Sequence, residues 1–466
     1  KDPFVLEARG AERPVRCSSH APVWIVPAPP RAPGMRIAAA LGFVAAAARS
    51  AAAATDGKSS EAFERHVLER GAEEARAGCA PWLRRWRRAQ AAAKDRAIYE
   101  RAPTGLADIW SSLLTALWFA ALDGRRLEVH WPESAGVVDL AGAGVETTRR
   151  DSLDRLALDE TYFKRTHGPF ADALRLLATN ATALGRRRDV VLSGNRGLTH
   201  VVFGDAVLRS ALRRRGLDAP DAWLGAGCAL HHITRPTRAT FDAYVAPLLA
   251  LTRKRSDTVC LHLRTGLMPE LEHQQPCKDG GRCARPDDEM HGAARAITVD
   301  DVAAFVACAE LAGGPGARWF VAADSESLRK SFLENFGNRV ILAPWAPDPF
   351  ASYQHKGGSR GGSSAAARRA RSQPDAETPD AARAERHRMR EALRRTFAEW
   401  YALAHCRHLV VSRSGFSRTA AVVARGLFNA SIHYVSHLGA PQCDAAAAMP
   451  KGSQRASLLM TGGAGV

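Results

Sequence analysis

Residues 259–266 read VCLHLRTG. Apolar and polar side chains alternate through this run, which predicts a β-strand with His262 and Arg264 on one face, two residues apart. The strand begins as core and ends with an imidazole beside a guanidinium. Two readings are open at this point. The strand runs out into solvent, or it carries an anion site to the carboxyl edge of a parallel sheet.

The surrounding sequence favours a parallel sheet. Strand-like runs occur at DTVCLHL, RWFVAAD, RVILAP, HLVVS and IHYVS. Helical patterns separate them at VDDVAAFVACAELA, SESLRKSFLENF, REALRRTFAEWYALAH and FSRTAAVVARGLF. Strands alternating with helices predict an α/β, doubly wound parallel sheet, here placed in a C-terminal domain over residues 252–445. Within it, residues 354–387 carry almost no large apolar side chains and read as a disordered surface insertion. Upstream, residues 103–251 read as an N-terminal α/β domain, with a helix in ADIWSSLLTALWFAAL and strands in RRLEVHW, DVVLSG and THVVFG. Residues 55–102 read as a charged helical stem, and 446–466 as a flexible tail.

The chain has 466 residues, 46% apolar, which is enough for real cores in two domains. Its net charge of +17 first suggests a polyanion partner. Much of that excess is Arg in Ala-rich stretches, without an RNP motif, zinc-finger spacing or aromatic interleaving, so a nucleic-acid partner is not expected. Residues 35–54, MRIAAALGFVAAAARSAAAA, have the layout of a secretory signal, with residues 1–34 as upstream sequence. A short amino-terminal membrane tether is the alternative. Eight cysteines follow Cys17, with Cys277 and Cys283 around a Gly-rich turn, and Asn180 and Asn429 head glycosylation sequons. These features lean toward the secretory route. Neither CxxC nor HExxH occurs, so no metal site is expected.

In an open parallel sheet, ligands bind beyond the carboxyl ends of the strands. Three such ends are polar here. One is His262-Leu-Arg264-Thr-Gly266. The second is VAADSES, where Asp324 ends a strand and Ser325 is placed to cap the next helix. The third is VVSRSGFSRTAAVVA, where Ser412, Ser414, Gly415 and Ser417 form a small, hydroxyl-rich turn into a helix. Such a turn either caps its helix or offers backbone N–H groups and the helix dipole to a phosphate. Arg264 adds a permanently charged planar fork suited to a diphosphate.

The segments HLRTG, VAADS and SRSGFSRTAAVVA, in that order, resemble the donor-site segments of the GDP-fucose fucosyltransferases. That group includes the α1,6 and nodulation enzymes and the plant and protein O-fucosyltransferases. APTGLADIWSSLLTALWFAALDGRRLEVHWP is similar to their Gly-rich loop, helix and following strand, and LGAGCALHHITRPT to a segment before the donor domain. The resemblance spans roughly residues 100–440. It implies a GT-B-like pair of Rossmann-type domains, an inverting transfer of fucose from GDP-fucose to a glycan or glycoprotein acceptor, no cofactor and no metal requirement. A Golgi-lumen location goes with it.

The resemblance also implies roles. Arg264 matches the Arg that neutralises the β-phosphate, His262 a neighbour that holds the nucleoside, and Asp324 the acidic residue ending the next strand. Ser325 and Gly266 flank these positions. Ser412, Ser414, Gly415 and Ser417 fall on the loop that meets the diphosphate and sugar, and Gly105 and Asp108 on the amino-terminal loop. Glu272, ten residues after His262, stands where α1,6 enzymes place a general base. Thr265 departs from the second Arg or His of that pattern. The alternatives are therefore another nucleotide-sugar donor, or an inactive carbohydrate-binding homologue. HCRHLVVSRSG invites a phosphatase reading as well, but Cys406 and Arg413 are spaced one residue too far apart for a phosphate-loop signature.

Overall fold

Residues 258–263 form a strand buried along its whole length, and the second sheet is arranged around it. The computed structural model describes residues 56–101, 105–140, 145–147, 157–158, 174–175, 179, 189–194, 199–217, 219, 222–252, 258–264, 299–345, 379–412, 414–435 and 443–445. The strands are β1 (Arg96–Arg101), β2 (Arg126–His130), β3 (Glu146–Thr147), β4 (Ala157–Leu158), β5 (Asp189–Gly194) and β6 (Thr258–Leu263). They continue with β7 (Arg318–Ala323), β8 (Val340–Ile341), β9 (His408–Val411), β10 (Ser431–Val435) and β11 (Cys443–Ala445). The helices used below are α1 (Asp56–Arg76), α2 (Ala80–Ala92), α3 (Leu106–Asp123), α4 (Thr199–Gly204), α5 (Ala206–Arg214) and α6 (Ala222–Ile233). Beyond them come α7 (Ala246–Thr252), α8 (Val299–Gly313), α9 (Glu326–Phe336), α10 (Pro379–Ala404) and α11 (Gly415–Phe428).

Two sheets result, and the α/β architecture with parallel strands is as the sequence predicts. The first runs β3-β2-β1-β5-β4, all parallel. Arg96 ties its amino-terminal edge, bonding Asp189 at 2.7 Å and Glu128 at 3.3 Å. The second runs β11-β10-β9-β6-β7-β8, parallel except for the antiparallel β11. Both belong to a single unit that begins at Lys58.

Period-2 alternation gives β6 two different faces. Val259, Leu261 and Leu263 pack with Phe305 of α8 and Trp319 and Val321 of β7. Cys260 faces the larger core that contains α3, α10 and α11, and is disulfide-bonded to Cys406 just before β9 (Cα–Cα 6.2 Å). A second disulfide, Cys79–Cys228, joins the start of α2 to α6 (Cα–Cα 5.6 Å). Such bonds persist in oxidising compartments.

Helix α3 is long and apolar enough to cross a membrane, but most of it is buried in this core. Helix α11 crosses α6 at a glycine pair. A Cβ on Gly227 would lie 2.8 Å from the Val422 carbonyl oxygen, and one on Gly426 would lie 2.5 Å from the Trp223 carbonyl oxygen. Only glycine permits that backbone approach.

Three local expectations are corrected. The sequence predicts helix through residue 102, whereas residues 96–101 are β1, the middle strand of the first sheet. Ala97, Ile98 and Tyr99 are all buried there, as a strand covered on both faces requires. THVVFG, expected as a strand, is helix α4; Thr199 accepts the Trp118 indole N–H at 3.0 Å and Phe203 packs edge-on against the same ring. A six-residue apolar run is ambiguous by periodicity, and here tertiary packing decides. Residues 379–387, placed in the disordered insertion, are the first turns of α10. Pro379 is preorganised for a first helical position, and PDAARAERH is rich in good helix formers. Residues 354–378 and 446–466 lie outside the described residues, as does the signal-like stretch 35–54.

Gly227→Val should lower stability by about 1–3 kcal/mol, because the added carbons must separate α6 from α11. Urea unfolding monitored by tryptophan fluorescence checks this; an unchanged midpoint would mean the crossing is not under steric constraint.

Candidate functional site

The order of the second sheet puts a switch point at β6. The chain leaves β6 toward β7 and β8, then returns to build β9 and β10 on the other side. A crevice opens between the carboxyl ends of strands at such a reversal, and ligands of open α/β sheets bind there. At this place β6 carries His262 near its end, with Arg264 just beyond it, and β9 is followed by Ser412 and the turn into α11. His262 pairs with Val411 in register, Ser412 donates its N–H to the His262 carbonyl at 3.1 Å, and the Ser412 Oγ lies 3.4 Å from His262 Nδ1.

His262 is 6% exposed and its ring packs against Phe416, with centroids 5.0 Å apart. Burial pulls its pKa down to about 3, helped by the positive charges of Arg264 and Arg329. The imidazole is therefore neutral at physiological pH. It can accept or donate a hydrogen bond, but it brings no charge. Arg264 is half-buried just past the strand, and among the described residues no hydrogen bond or ion pair engages it.

The serines of the third segment are largely committed to their own turn. Ser414 caps α11, accepting from the Phe416 N–H at 3.3 Å. Ser417 donates to the carbonyls of Ser412 at 3.1 Å and Ser414 at 3.2 Å. The capping reading thus accounts for these two hydroxyls. What the turn adds is the amino end of a fourteen-residue helix, with its positive dipole end at the strand edge.

A second helix start meets it. A Cβ on Gly415 would lie 3.2 Å from Ala107 Cβ and 3.9 Å from Asp108 Oδ1. Gly105, buried and extended, precedes α3 as its N-terminal cap residue. Gly105, Asp108, His262, Ser412, Ser414, Gly415 and Ser417 are thereby brought to one place, with Arg264 at its edge.

The VAADS segment ends the neighbouring strand. Asp324 is half-buried at the end of β7, and Ser325 is the N-cap of α9, accepting the Leu328 N–H at 3.2 Å. Sequence reasoning missed what lies behind it. Arg329 bonds the Ala323 carbonyl at 3.0 Å and forks onto both oxygens of Glu399 at 2.8 and 2.7 Å. The Trp345 indole N–H donates to the same carboxylate at 3.0 Å. A buried carboxylate that accepts three hydrogen bonds, two from Arg329 and one from Trp345, ties α9 and the end of β7 to α10. No sequence spacing announces that pair, because its members are far apart in the chain.

Gly266, Glu272 and Asn180 lie outside the described residues. Asn429 is exposed in a left-handed conformation (φ 51°) at the end of α11, and the Ser431 hydroxyl of its sequon lies 2.7 Å from His408 Nδ1. Cys406 is disulfide-bonded and β9 follows it, so the phosphatase reading has no thiolate to use.

No family model matches the chain, and no curated protein does either. Among solved structures, the chain is similar to Arabidopsis thaliana FUT1, a mutant in complex with GDP (TM-score 0.43, 10% identity, 79% of this chain and 78% of that one). It is similar also to fucosyltransferase NodZ from Bradyrhizobium (TM-score 0.42, 15% identity, 76% and 99%). NodZ α1,6-fucosyltransferase soaked with GDP-fucose gives a TM-score of 0.41 at 14% identity, over 76% and 99%.

His262 should make stability pH-dependent on the acid side. Its ordinary pKa near 6.5 governs the unfolded chain, whereas the folded value is about 3. Between these values the unfolded chain binds the extra proton, so stability falls as pH drops through that window, by up to about 1.4 kcal/mol per pH unit. His262→Asn should flatten this slope in urea titrations at pH 7, 6, 5 and 4. Parallel slopes for the two proteins would contradict the buried, neutral assignment.

Proposed function

We propose that this chain is an inverting glycosyltransferase that takes fucose from GDP-fucose and passes it to a glycan or glycoprotein acceptor in the Golgi lumen. The observation that carries the reading is the end of β6 at the switch point of the parallel sheet, where His262 meets Ser412 and Phe416 beside the converging amino ends of α3 and α11, and Arg264 follows one residue past the strand. The sequence resemblance of HLRTG, VAADS and SRSGFSRTAAVVA supports the choice of donor.

In this reading the guanidinium fork of Arg264 and the amino end of α11 hold the diphosphate. His262 and Ser412 offer neutral hydrogen bonds where nucleoside or ribose meets the strand edge. The acceptor oxygen attacks the anomeric carbon while the bond to the β-phosphate oxygen breaks, and GDP departs with the bonding pair. The acceptor proton goes to a carboxylate, assigned to Glu272, with Asp324 beside the donor. Negative charge on the leaving diphosphate grows in the transition state, so Arg264 acts on kcat as well as on binding. The site gathers fixed protein cations and helix dipoles for the diphosphate, and no divalent ion is required by this scheme.

Screening the purified chain against GDP- and UDP-sugars tests the donor assignment; binding of GDP-fucose without turnover would leave a carbohydrate-binding homologue. Arg264→Ala should cost roughly 2–5 kcal/mol of donor or transition-state stabilisation, and Arg264→Lys most of the activity, with the unfolding midpoint nearly unchanged. A folded Arg264→Ala protein with wild-type kinetics would sink the assignment. Calorimetric GDP-fucose affinity should survive EDTA. Loss restored by Mn²⁺ but not by Zn²⁺ would show that the diphosphate needs a metal after all.

A further inference from the structure

Away from the strand-end site, Glu73 on α1, His231 in the last turn of α6 and His405 just after α10 meet in the core. They are 8%, 1% and 8% exposed. One ligand atom from each lies within 4.8 Å of the others, and His231 Nε2 stands 3.3 Å from Glu73 Oε2.

The hydrogen bonds on the far side of each ring fix which nitrogen points inward. Glu74 Oε1 lies 3.3 Å from His231 Nδ1 and 3.2 Å from His232 Nδ1. A carboxylate oxygen accepts, so the geometry suits a proton on His231 Nδ1. His405 Nδ1 faces the Tyr401 carbonyl at 2.8 Å, also an acceptor only, so it too carries the proton. Each ring then turns its Nε2 away from its anchor, and the buried His231 Nε2 faces Glu73 Oε2 at 3.3 Å. A ring N–H given to a carboxylate or a carbonyl, with the other nitrogen aimed at a shared point, is how metal-ligating histidines are held.

We propose that Glu73, His231 and His405 bind a divalent transition-metal cation of the zinc class. Two imidazoles and a carboxylate are a donor set that such a cation accepts. The 3.3 Å separation matches the edge of a tetrahedron with metal–ligand bonds of about 2.0 Å, and the wider edges close with shifts of about 1 Å. The role is structural. His405 precedes β9 and Ser412 follows it, so the cluster lies at the opposite edge of the sheet, roughly 20 Å of strand from the donor site. Three chain segments distant in sequence are clamped there, each close to a disulfide cysteine: Cys79 after Glu73, Cys228 one turn before His231, and Cys406 beside His405. That dispersal is why the sequence shows no metal signature.

The test uses the full chain without a histidine tag and does not depend on transferase activity. Elemental analysis should find about one zinc per chain. After chelator treatment, added ZnCl₂ should raise the melting temperature by about 3 °C or more and saturate, while MgCl₂ should do nothing. Co²⁺ should give visible absorption typical of a tetrahedral site. His231→Gln and, independently, His405→Asn should each weaken Zn²⁺ affinity at least tenfold and remove the Co²⁺ bands; the second variant serves if the first does not fold. Zinc below about 0.1 per chain, with superimposable melting curves with and without ZnCl₂, would overturn the proposal. The pair would then be a protonated His231 donating to Glu73.

Discussion

Helix α11 is held at both ends by glycine, and the placement of the site depends on it. Gly415 lets its first turn approach Ala107 and Asp108 of α3, and Gly426 lets its last turn lie against the backbone of α6. Between these ends Ala420, Ala421, Val422, Val423 and Ala424 are buried, and Thr419 accepts the Trp400 indole N–H at 3.0 Å from α10. A helix confined by backbone contact at two points has little freedom to slide. Its amino end, and the dipole it carries, is therefore set to the carboxyl edge of β9 with the precision of close packing.

Electrostatics at that edge follows from burial. His262 sits too deep to be charged, so it modulates hydrogen bonding rather than field. Arg329 is also buried, but Glu399 meets it with both oxygens, which makes the pair a local tie with little net charge. Arg264 is the position where the chain has just left the core, and there a cation can meet a solvated anion without the full desolvation cost. The sheet edge thus holds three basic side chains at different depths: His262 buried and neutral, Arg329 buried and paired, Arg264 half-buried.

The second half of the fold was legible because its strands are short apolar runs set between helices with clear start signals, Ser325 and Ser414 among them. Both serines turned out to be caps, the plainer of the two readings allowed for each. Strand β1 was hidden by the Ala-rich helix before it, and α4 by a β-branched sequence too short to show a period. The start of α10 was hidden by a polar composition that suits an exposed helix end as well as a loop. Pairings between distant segments were beyond reach. Cys260 with Cys406, Arg329 with Glu399 and Glu73 with His231 are products of topology, and nothing in local spacing encodes them.

The two readings of VCLHLRTG can now be weighed on depth alone. A strand escaping into water would show exposure rising from His262 onward, with an imidazole free to titrate near its ordinary pKa. Instead His262 is as enclosed as core, packed against Phe416 and bonded through its carbonyl to Ser412 at the end of the neighbouring strand. Only at Arg264, one residue past β6, does the chain begin to emerge. A half-exposed guanidinium one residue past a buried strand, at the switch point of a parallel sheet, is compatible with the anion site proposed above rather than with a strand simply running out into solvent.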